Sequence, residues 1–436
     1  MSLLTRLKNK VKNSKEIKNA SWLIAGKVAQ MALSFAIGIL TTRYLGPSNF
    51  GSINYGTAFV TFFMSLCTLG LNAILVKEFV DNPSQQGVTL GTSLIMRGLS
   101  SVLSIVCIIG VVSIIDKGEP NTILVVSICS ISLIFHIFDT FNYWFQYRYE
   151  SKAVAITTLI AYFATSIYRI VLLSQNKDVF WFAFASSFDY IVYAVVIYSV
   201  YKRKGGPQLA FSLTKAKSLL GRSYHYIISG MMVAIYGQTD KLMLKQMLDE
   251  TSVGYYSLAT TVNLMWVFVL QAIIDSFTPT IMSLHKKGDK NAFDKKNKQL
   301  YFIVIYISII VSLFFVFFGR YAIVMLYGKE YEPAAEPLKI ITWYTIFSYL
   351  GVARNAWIVC NNYQKYLKYM YLSAAIINII LNTIFIPILG ASGAALASLI
   401  TQVLTSMVLP CFIRDLRPNV KLMIDAFLLR DIKVSN

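Results

Sequence analysis

Twelve long apolar segments dominate this chain and restrict it to an all-α integral membrane protein. Each segment is close to the ~20 residues that an α-helix needs to cross about 30 Å of hydrocarbon. The segments are residues 21–41, 53–75, 91–115, 121–144, 154–174, 179–201, 223–245, 254–282, 300–319, 338–359, 368–389 and 392–413. Charged residues make up only 14% of the chain, against about 25% in soluble domains, which excludes a soluble fold.

Lysine and arginine are concentrated on one side of these segments. If the amino terminus lies inside, the cytoplasmic side holds 28 of the 40 basic residues and the outer side holds 7, counting Lys241 and Lys245 at the outer end of the seventh span. Basic residues favour the cytoplasmic side of a membrane, so both termini are predicted to be cytoplasmic. The net charge of +19 follows from this topology, and no nucleic-acid partner is predicted.

Two short motifs recur in the same order along the chain. Leu45 and Gly51 reappear as Leu248 and Gly254, 203 residues later, with apolar segments on both sides. A second motif, Asn-x-Trp with a Lys eight residues after the Trp, occurs at 142–144 and 355–357, an offset of 213 residues. Recurrence at similar offsets indicates two homologous halves.

These halves are predicted to form two lobes of six transmembrane helices each. The N-terminal lobe would be residues 1–205, with a basic surface helix at 1–19. The C-terminal lobe would be residues 206–436, with a linker, six spans and a basic tail. Because six spans return the chain to the same side, an axis along the membrane normal is expected to relate the lobes. Gly46 and Pro47 are predicted to end the first span and begin the second.

Ionisable side chains within the spans are the candidate functional residues, because burying them in lipid is costly without a cavity or a partner. Lys27, Arg97 and Arg354 lie toward the cytoplasm and predict the cationic mouth of a cavity that binds phosphate or pyrophosphate. The candidate coupling or ion-pair groups are Asp139, Asp189, Asp240, Asp275 and Arg169. The alternative is snorkelling at the interface and structural pairs such as Arg97 with Asp139.

No catalytic or metal-binding arrangement is present in the sequence. There is no Walker A run, no HExxH motif and no plausible Ser/His/Asp set. The five cysteines and three histidines are scattered at unrelated spacings, which argues against a zinc site. The chain is therefore predicted to be neither an enzyme nor a holder of a metal or cofactor.

Four stretches together resemble Wzx-type polysaccharide flippases of the multidrug/oligosaccharidyl-lipid/polysaccharide exporter superfamily. They are the loop from Arg43 to Gly51, the start of the eighth span at 253–257, the turn at 327–331, and the pair of spans that contains Asn378 to Ala397. Each stretch is loose by itself, but their order and spacing cover nearly the whole chain. Twelve spans rather than fourteen favour the O-antigen or capsule branch over the lipid II branch.

The resemblance implies two six-helix lobes around a central cavity in the bacterial inner membrane. Such proteins move undecaprenyl-pyrophosphate-linked oligosaccharide repeat units from the inner to the outer leaflet by alternating access. Lys27 and Arg354 match, by chemistry and depth, the cationic cavity residues of the family. A polysaccharide polymerase and a chain-length regulator are the expected protein partners, besides the lipid bilayer.

Two alternatives remain open at the level of sequence. A multidrug/cation antiporter of the same superfamily would need an acidic, aromatic cavity, and Asp189 keeps that function open. A membrane polysaccharide polymerase or ligase would carry a large outer loop. No predicted outer loop here exceeds roughly twenty residues, which disfavours the enzyme.

Overall fold

The described chain is helical throughout. The computed structural model describes the backbone of residues 15–430 and the side chains of residues 34–430. Every regular element in that range is a helix and no strand forms there, which confirms the all-α prediction. Residues 1–14 of the predicted surface helix lie outside the described residues.

Seventeen α-helices follow one another along the described chain, with short 3₁₀ turns between some of them. In order they are α1 (Lys15–Thr68), α2 (Leu75–Asp81), α3 (Gln86–Ile115), α4 (Pro120–Ser130), α5 (Ser132–His136), α6 (Thr140–Tyr147), α7 (Ser151–Ser174), α8 (Val179–Arg203), α9 (Leu213–Met247), α10 (Glu250–Leu264), α11 (Val267–Lys286), α12 (Lys290–Tyr327), α13 (Ala335–Cys360), α14 (Leu367–Leu389), α15 (Ala391–Val403), α16 (Leu409–Phe412) and α17 (Arg417–Phe427). A π-helical turn, Leu404–Val408, joins α15 to α16.

Within the described residues, eight helical segments are long and apolar enough to cross a membrane. They are Pro83–Ile115, Pro120–Tyr147, Ser151–Ser174, Val179–Arg203, Val267–Lys286, Lys290–Tyr327, Gln364–Leu389 and Ala391–Phe412. The other four predicted spans are also largely helical, since α1 contains 21–41 and the 53–68 part of 53–75, and α9 and α13 contain one each. The predicted span 254–282 is divided between α10 and α11, because residues 265–266 interrupt it. The total of twelve spans stays a prediction, as does the position of the termini.

The chain divides into two compact units. Within the described residues, the first contains residues 15–45 and 55–234, and the second contains residues 46–54 and 235–430. A cluster of large side chains around Phe141, Trp144 and Tyr201 forms a core of the first unit. A cluster around Tyr301, Leu350 and Trp357 forms a core of the second. The division into six-helix lobes at residues 1–205 and 206–436 stays a prediction.

The predicted turn at Gly46 and Pro47 interrupts α1. Gly46 has φ 69° and ψ 171°, a conformation that glycine adopts readily, and Pro47 begins the next helical arm. Just beyond it, the two glycines matched by the repeat meet in the second unit. A Cβ atom on Gly51 would collide with the carbonyl group of Glu250, and one on Gly254 would collide with the carbonyl group of Pro47. The glycines thus permit two helix backbones to approach closely.

We expect Gly51→Ala to destabilise the folded protein by about 1–3 kcal/mol, because the added methyl group overpacks this contact. Thermal unfolding of the detergent-solubilised protein measures the change. Gly98→Ala is the matched control, because the new Cβ atom at that helical position meets nothing within 4 Å apart from its own stretch of helix backbone. An unchanged melting temperature for Gly51→Ala would contradict the close approach of the two helices.

One buried carboxylate on α2 holds the basic first turns of α9 within the first unit. Glu78 on α2 is 1% exposed and forms ion pairs with Lys215 and Arg222 of α9. Burial by itself would raise the pKa of Glu78. The hydrogen bonds from Lys215 and Arg222 outweigh burial, so the pKa is lowered. The carboxylate therefore stays charged and holds the start of α9 in place.

Replacing Glu78 with glutamine is expected to lower the free energy of unfolding by about 1–2 kcal/mol at pH 7, a modest loss because Arg222 is largely exposed. The folded-state pKa of Glu78 is depressed, so its stabilisation is full above the ordinary glutamate pKa of about 4.3 and is lost as the pH falls through the lowered value. Unfolding of wild type and variant at pH 7 and at lower pH checks this difference. Glu332→Gln, in an exposed pair with Arg320, should change stability little. Equal stability of wild type and Glu78→Gln at pH 7 would contradict the role of Glu78.

Candidate functional site

Arg97 of α3 is a fully buried guanidinium in the first unit. Its Nη1 donates to Thr140 Oγ1 at 2.9 Å and its Nη2 donates to Asn72 Oδ1, while Nε has no partner among the described residues. Asp139 is close enough to interact electrostatically, but the suggested Arg97–Asp139 ion pair does not form in the described part of the chain. Neutral oxygens rather than a carboxylate hold Arg97, so its positive charge is not neutralised by a direct ion pair.

A polar cavity of about 180 Å³ lies within the first unit, between α1, α7 and α8. We call it the Arg169–Asp189 cavity, after the two charged side chains that line it. Thr165, Ser166 and Arg169 stand three, four and seven residues after Tyr162, which places all four on one face of α7. The rest of the lining is Ser34, Ile37, Ser186, Asp189 and Tyr190. The structure therefore brings together two candidates that the sequence placed on separate helices.

Asp240 of α9 is the centre of a buried hydrogen-bond network in the second unit. Its Oδ1 accepts from Asn378 Nδ2 at 3.1 Å and from Asn382 Nδ2 at 2.6 Å. Its Oδ2 accepts from Ser398 Oγ at 2.6 Å and from the hydroxyl group of Tyr256. Four donors from α10, α14 and α15 thus surround one carboxylate and satisfy its two oxygens.

Sequence reasoning named Asp240 but missed its partners. Asn378 and Asn382 stand four residues apart on one face of α14. The spacing was the available signal, because two amides on one helix face inside a span need a polar partner. The identity of that partner depends on how α9 packs in the unit.

Arg354 of α13 is also buried, at 5% exposure, in the second unit. Its Nη1 donates to the carbonyl oxygen of Ser406 at 3.0 Å, and its Nε has no partner among the described residues. Ser406 lies in the π-helical turn Leu404–Val408, where the backbone departs from the regular α-helical hydrogen-bond pattern. Within the part of the chain that the structure describes, no ion pair to Arg354 forms.

Two further candidates from the sequence are Asp275 and Lys27. Asp275 is exposed on α11 and accepts a hydrogen bond from Gln271 Nε2 at 2.8 Å, one helical turn away. Lys27 falls outside the residues whose side chains the structure describes. Arg97 and Arg354 belong to different units, so their joint role with Lys27 in one cationic mouth stays a prediction. Between residues 34 and 430, no group of three or more His, Cys, Asp and Glu side chains suitable for a metal ion occurs.

Two family models match this chain. The model described as polysaccharide biosynthesis protein matches residues 17–285, which is more than half of the 436 residues. The MatE model matches residues 226–384.

Relatives of similar length extend the match over most of the chain. The capsular polysaccharide biosynthesis protein CapF of Staphylococcus aureus is 19% identical over 395 residues, covering 88% of this chain and 96% of that protein. A protein of Escherichia coli (strain K12) named for O-antigen transport is 19% identical over 381 residues, covering 86% of this chain and 90% of that protein.

Solved structures of membrane transporters share the fold. A multidrug resistance MATE family transporter of the MOP superfamily, in an inward-facing conformation, superposes with a TM-score of 0.71 at 11% identity over 91% of this chain and 95% of its own. The lipid II flippase MurJ superposes with a TM-score of 0.67 at 16% identity over 94% of each chain. The chain is thus a multi-pass membrane protein that belongs to the polysaccharide biosynthesis protein family and has the exporter-superfamily fold that its motifs predicted.

Proposed function

We propose that this chain is a flippase that moves undecaprenyl-pyrophosphate-linked oligosaccharide repeat units from the inner to the outer leaflet of the bacterial inner membrane. The observation that carries the proposal is the match to the polysaccharide biosynthesis family over residues 17–285, extended along the chain by relatives named for capsule synthesis and O-antigen transport. The neighbouring fold of a lipid II flippase supports a lipid-linked substrate. Transport involves no bond making, so the chain acts as a transporter and not as an enzyme.

The physical task is to carry a charged, hydroxyl-rich headgroup through hydrocarbon. Desolvating a phosphate and many hydroxyl groups without compensation costs several kcal/mol for each group. Arg97 and Arg354 are buried guanidinium groups without direct ion pairs in the described chain, and the fork of a guanidinium binds phosphate oxygens bidentately. The lipid tail can stay in the bilayer while two six-helix lobes, with both termini in the cytoplasm, rock to expose the headgroup to either side.

Asp240 is our candidate for the ion-coupling group. Its carboxylate joins α9 to α10, α14 and α15 through four accepted hydrogen bonds. A proton or cation bound at Asp240 would remove acceptors from these donors, and the donors would have to find new partners. Such a rearrangement of helix contacts is a direct way to bias one conformation of the transporter over another.

A multidrug/cation antiporter is the second candidate, because the MatE model matches residues 226–384 and a MATE transporter shares the fold. The buried cations Arg97 and Arg354 disfavour a cationic substrate, since like charges repel strongly in a low dielectric.

A polymerase or ligase is disfavoured by the short connections after α3, α7 and α14, which are residues 116–119, 175–178 and 390. A polymerase and a chain-length regulator are instead the proposed partners.

Lipid-linked oligosaccharide in cells that lack this protein provides the test. A membrane-impermeant glycosidase reports whether the sugar faces the inner or the outer leaflet. We expect single repeat units to accumulate on the inner leaflet and to be cleared when the gene is restored. Single units that reach the outer leaflet but remain unpolymerised would place the protein with the polymerases and refute the flippase proposal.

A further inference from the structure

The Arg169–Asp189 cavity has no role in the proposed pyrophosphate binding or in the Asp240 network. It is lined by α1, α7 and α8 of the first unit, and its volume is about 180 Å³. Thr165 Oγ1 donates to Asp189 Oδ1 at 3.1 Å, which orients the carboxylate. Among residues 34–430, the Arg169 guanidinium makes no hydrogen bond or ion pair, and Asp189 and Tyr162 act on it electrostatically without a direct bond. A guanidinium that lines a cavity and makes no direct hydrogen bond has its donors available for a ligand.

The charges of this cavity favour an uncharged ligand. Arg169 would repel a cation and Asp189 would repel a phosphate or a carboxylate, while the two charges together sum to zero. Buried cations that suit the pyrophosphate are found elsewhere, at Arg97 and Arg354. The substrate therefore needs a second, neutral part if it is to use this cavity.

The chemical groups of the cavity suit a sugar ring. Asp189 can accept hydrogen bonds from two hydroxyl groups, Arg169 can donate to ring and hydroxyl oxygens, and the hydroxyl groups of Ser34, Ser166 and Ser186 can do either. The rings of Tyr162 and Tyr190 add apolar surface for the CH faces of a pyranose. The volume equals that of about six water molecules, which suits one sugar ring and not a longer oligosaccharide.

We propose that the Arg169–Asp189 cavity binds one uncharged sugar residue of the transported oligosaccharide. This inference rests on the proposed flippase function for its biological meaning, but binding at the cavity can be measured independently of transport. Pyrophosphate recognition would then serve all lipid-linked substrates, whereas this cavity would select the sugar. Specificity of this kind follows because a site that hydrogen-bonds hydroxyl groups rejects ligands that leave its buried polar groups unpaired.

The test uses the full-length protein in lipid nanodiscs and simple probes. Methyl glycosides of neutral hexoses, 6-deoxyhexoses and N-acetylhexosamines are titrated and compared with methyl glucuronide and inorganic phosphate. Thermal unfolding and saturation-transfer NMR report binding. We expect at least one neutral glycoside to bind with a millimolar Kd and to raise the melting temperature by about 1–3 °C at 100 mM. Methyl glucuronide and phosphate should bind at least tenfold more weakly.

Substitutions of residues that line the cavity test whether the glycoside binds there. Arg169→Ala and Asp189→Asn should each raise the Kd of the bound glycoside at least tenfold, and Thr165→Ala provides a milder variant if either fails to fold. Arg320→Ala removes an exposed arginine that is paired with Glu332 and should bind the glycoside as the wild type does. The proposal is overturned if no neutral glycoside binds, if methyl glucuronide or phosphate binds better, or if the folded cavity variants bind as well as wild type. Wild-type translocation of lipid-linked oligosaccharide without glycoside binding would refute the subsite alone, whereas glycoside binding without translocation would refute the flippase function alone.

Discussion

Asp240→Ala is expected to abolish surface polysaccharide and to lower the free energy of unfolding by about 3–5 kcal/mol. The change removes the acceptor of Asn378, Asn382, Ser398 and the Tyr256 hydroxyl in one step. Each buried donor left without a partner costs about 1–3 kcal/mol, although relaxation of the amides recovers part of the sum. Thermal unfolding of the purified protein and the amount of surface polysaccharide in complemented cells measure the two effects.

Asp240→Asn separates stability from coupling at the same position. The amide keeps the shape and one acceptor oxygen, so a smaller loss of stability is expected than for alanine. It removes the charge, so a transporter that couples through this carboxylate should still lose polysaccharide export. Asp81→Asn is the control, because Asp81 is an exposed carboxylate on α2. Wild-type polysaccharide from a folded Asp240→Asn variant would show that Asp240 is structural only.

Local features of this fold could be predicted because they depend on neighbouring residues. The apolar segments predict helices wherever backbone groups must be satisfied within lipid. Gly46 and Pro47 predict the break in α1, because one residue tolerates positive φ and the other cannot continue the helical hydrogen bonds. The repeated glycines Gly51 and Gly254 were found by pattern, and the structure adds that they meet.

Partners of the charged side chains could not be predicted, since they depend on packing between helices distant in sequence. An ion pair of Arg97 with Asp139 is the structural alternative that the sequence offers, yet Thr140 and Asn72 hold Arg97. The carbonyl oxygen that receives Arg354 lies in a π-helical turn, for which the sequence offers no clear signal. Depth in the membrane can be read from a sequence, whereas the rotation of each helix about its axis is set by tertiary contacts.

Arg354→Ala is expected to reduce surface polysaccharide roughly tenfold to a hundredfold while the protein level stays near wild type. Loss of one charge-assisted hydrogen bond to phosphate removes about 1.5–3 kcal/mol, which corresponds to that range. The stability change should be small, because in the described chain Arg354 makes one hydrogen bond, to Ser406, and burial of its charge is itself unfavourable. Immunoblotting and polysaccharide quantification measure both quantities, and Lys27→Ala is expected to behave in the same way.

Two further substitutions at this position distinguish pyrophosphate binding from packing. Arg354→Met fills most of the volume without the charge, so it should fold at least as well as wild type and still fail to export. Arg354→Lys keeps the charge but loses the bidentate fork, so partial export is expected. Arg320→Ala, at an exposed position, should export normally. Normal polysaccharide from Arg354→Met would mean that the guanidinium only fills space beside the π-helical turn, and the phosphate role would then have to lie with Arg97 or with Lys27.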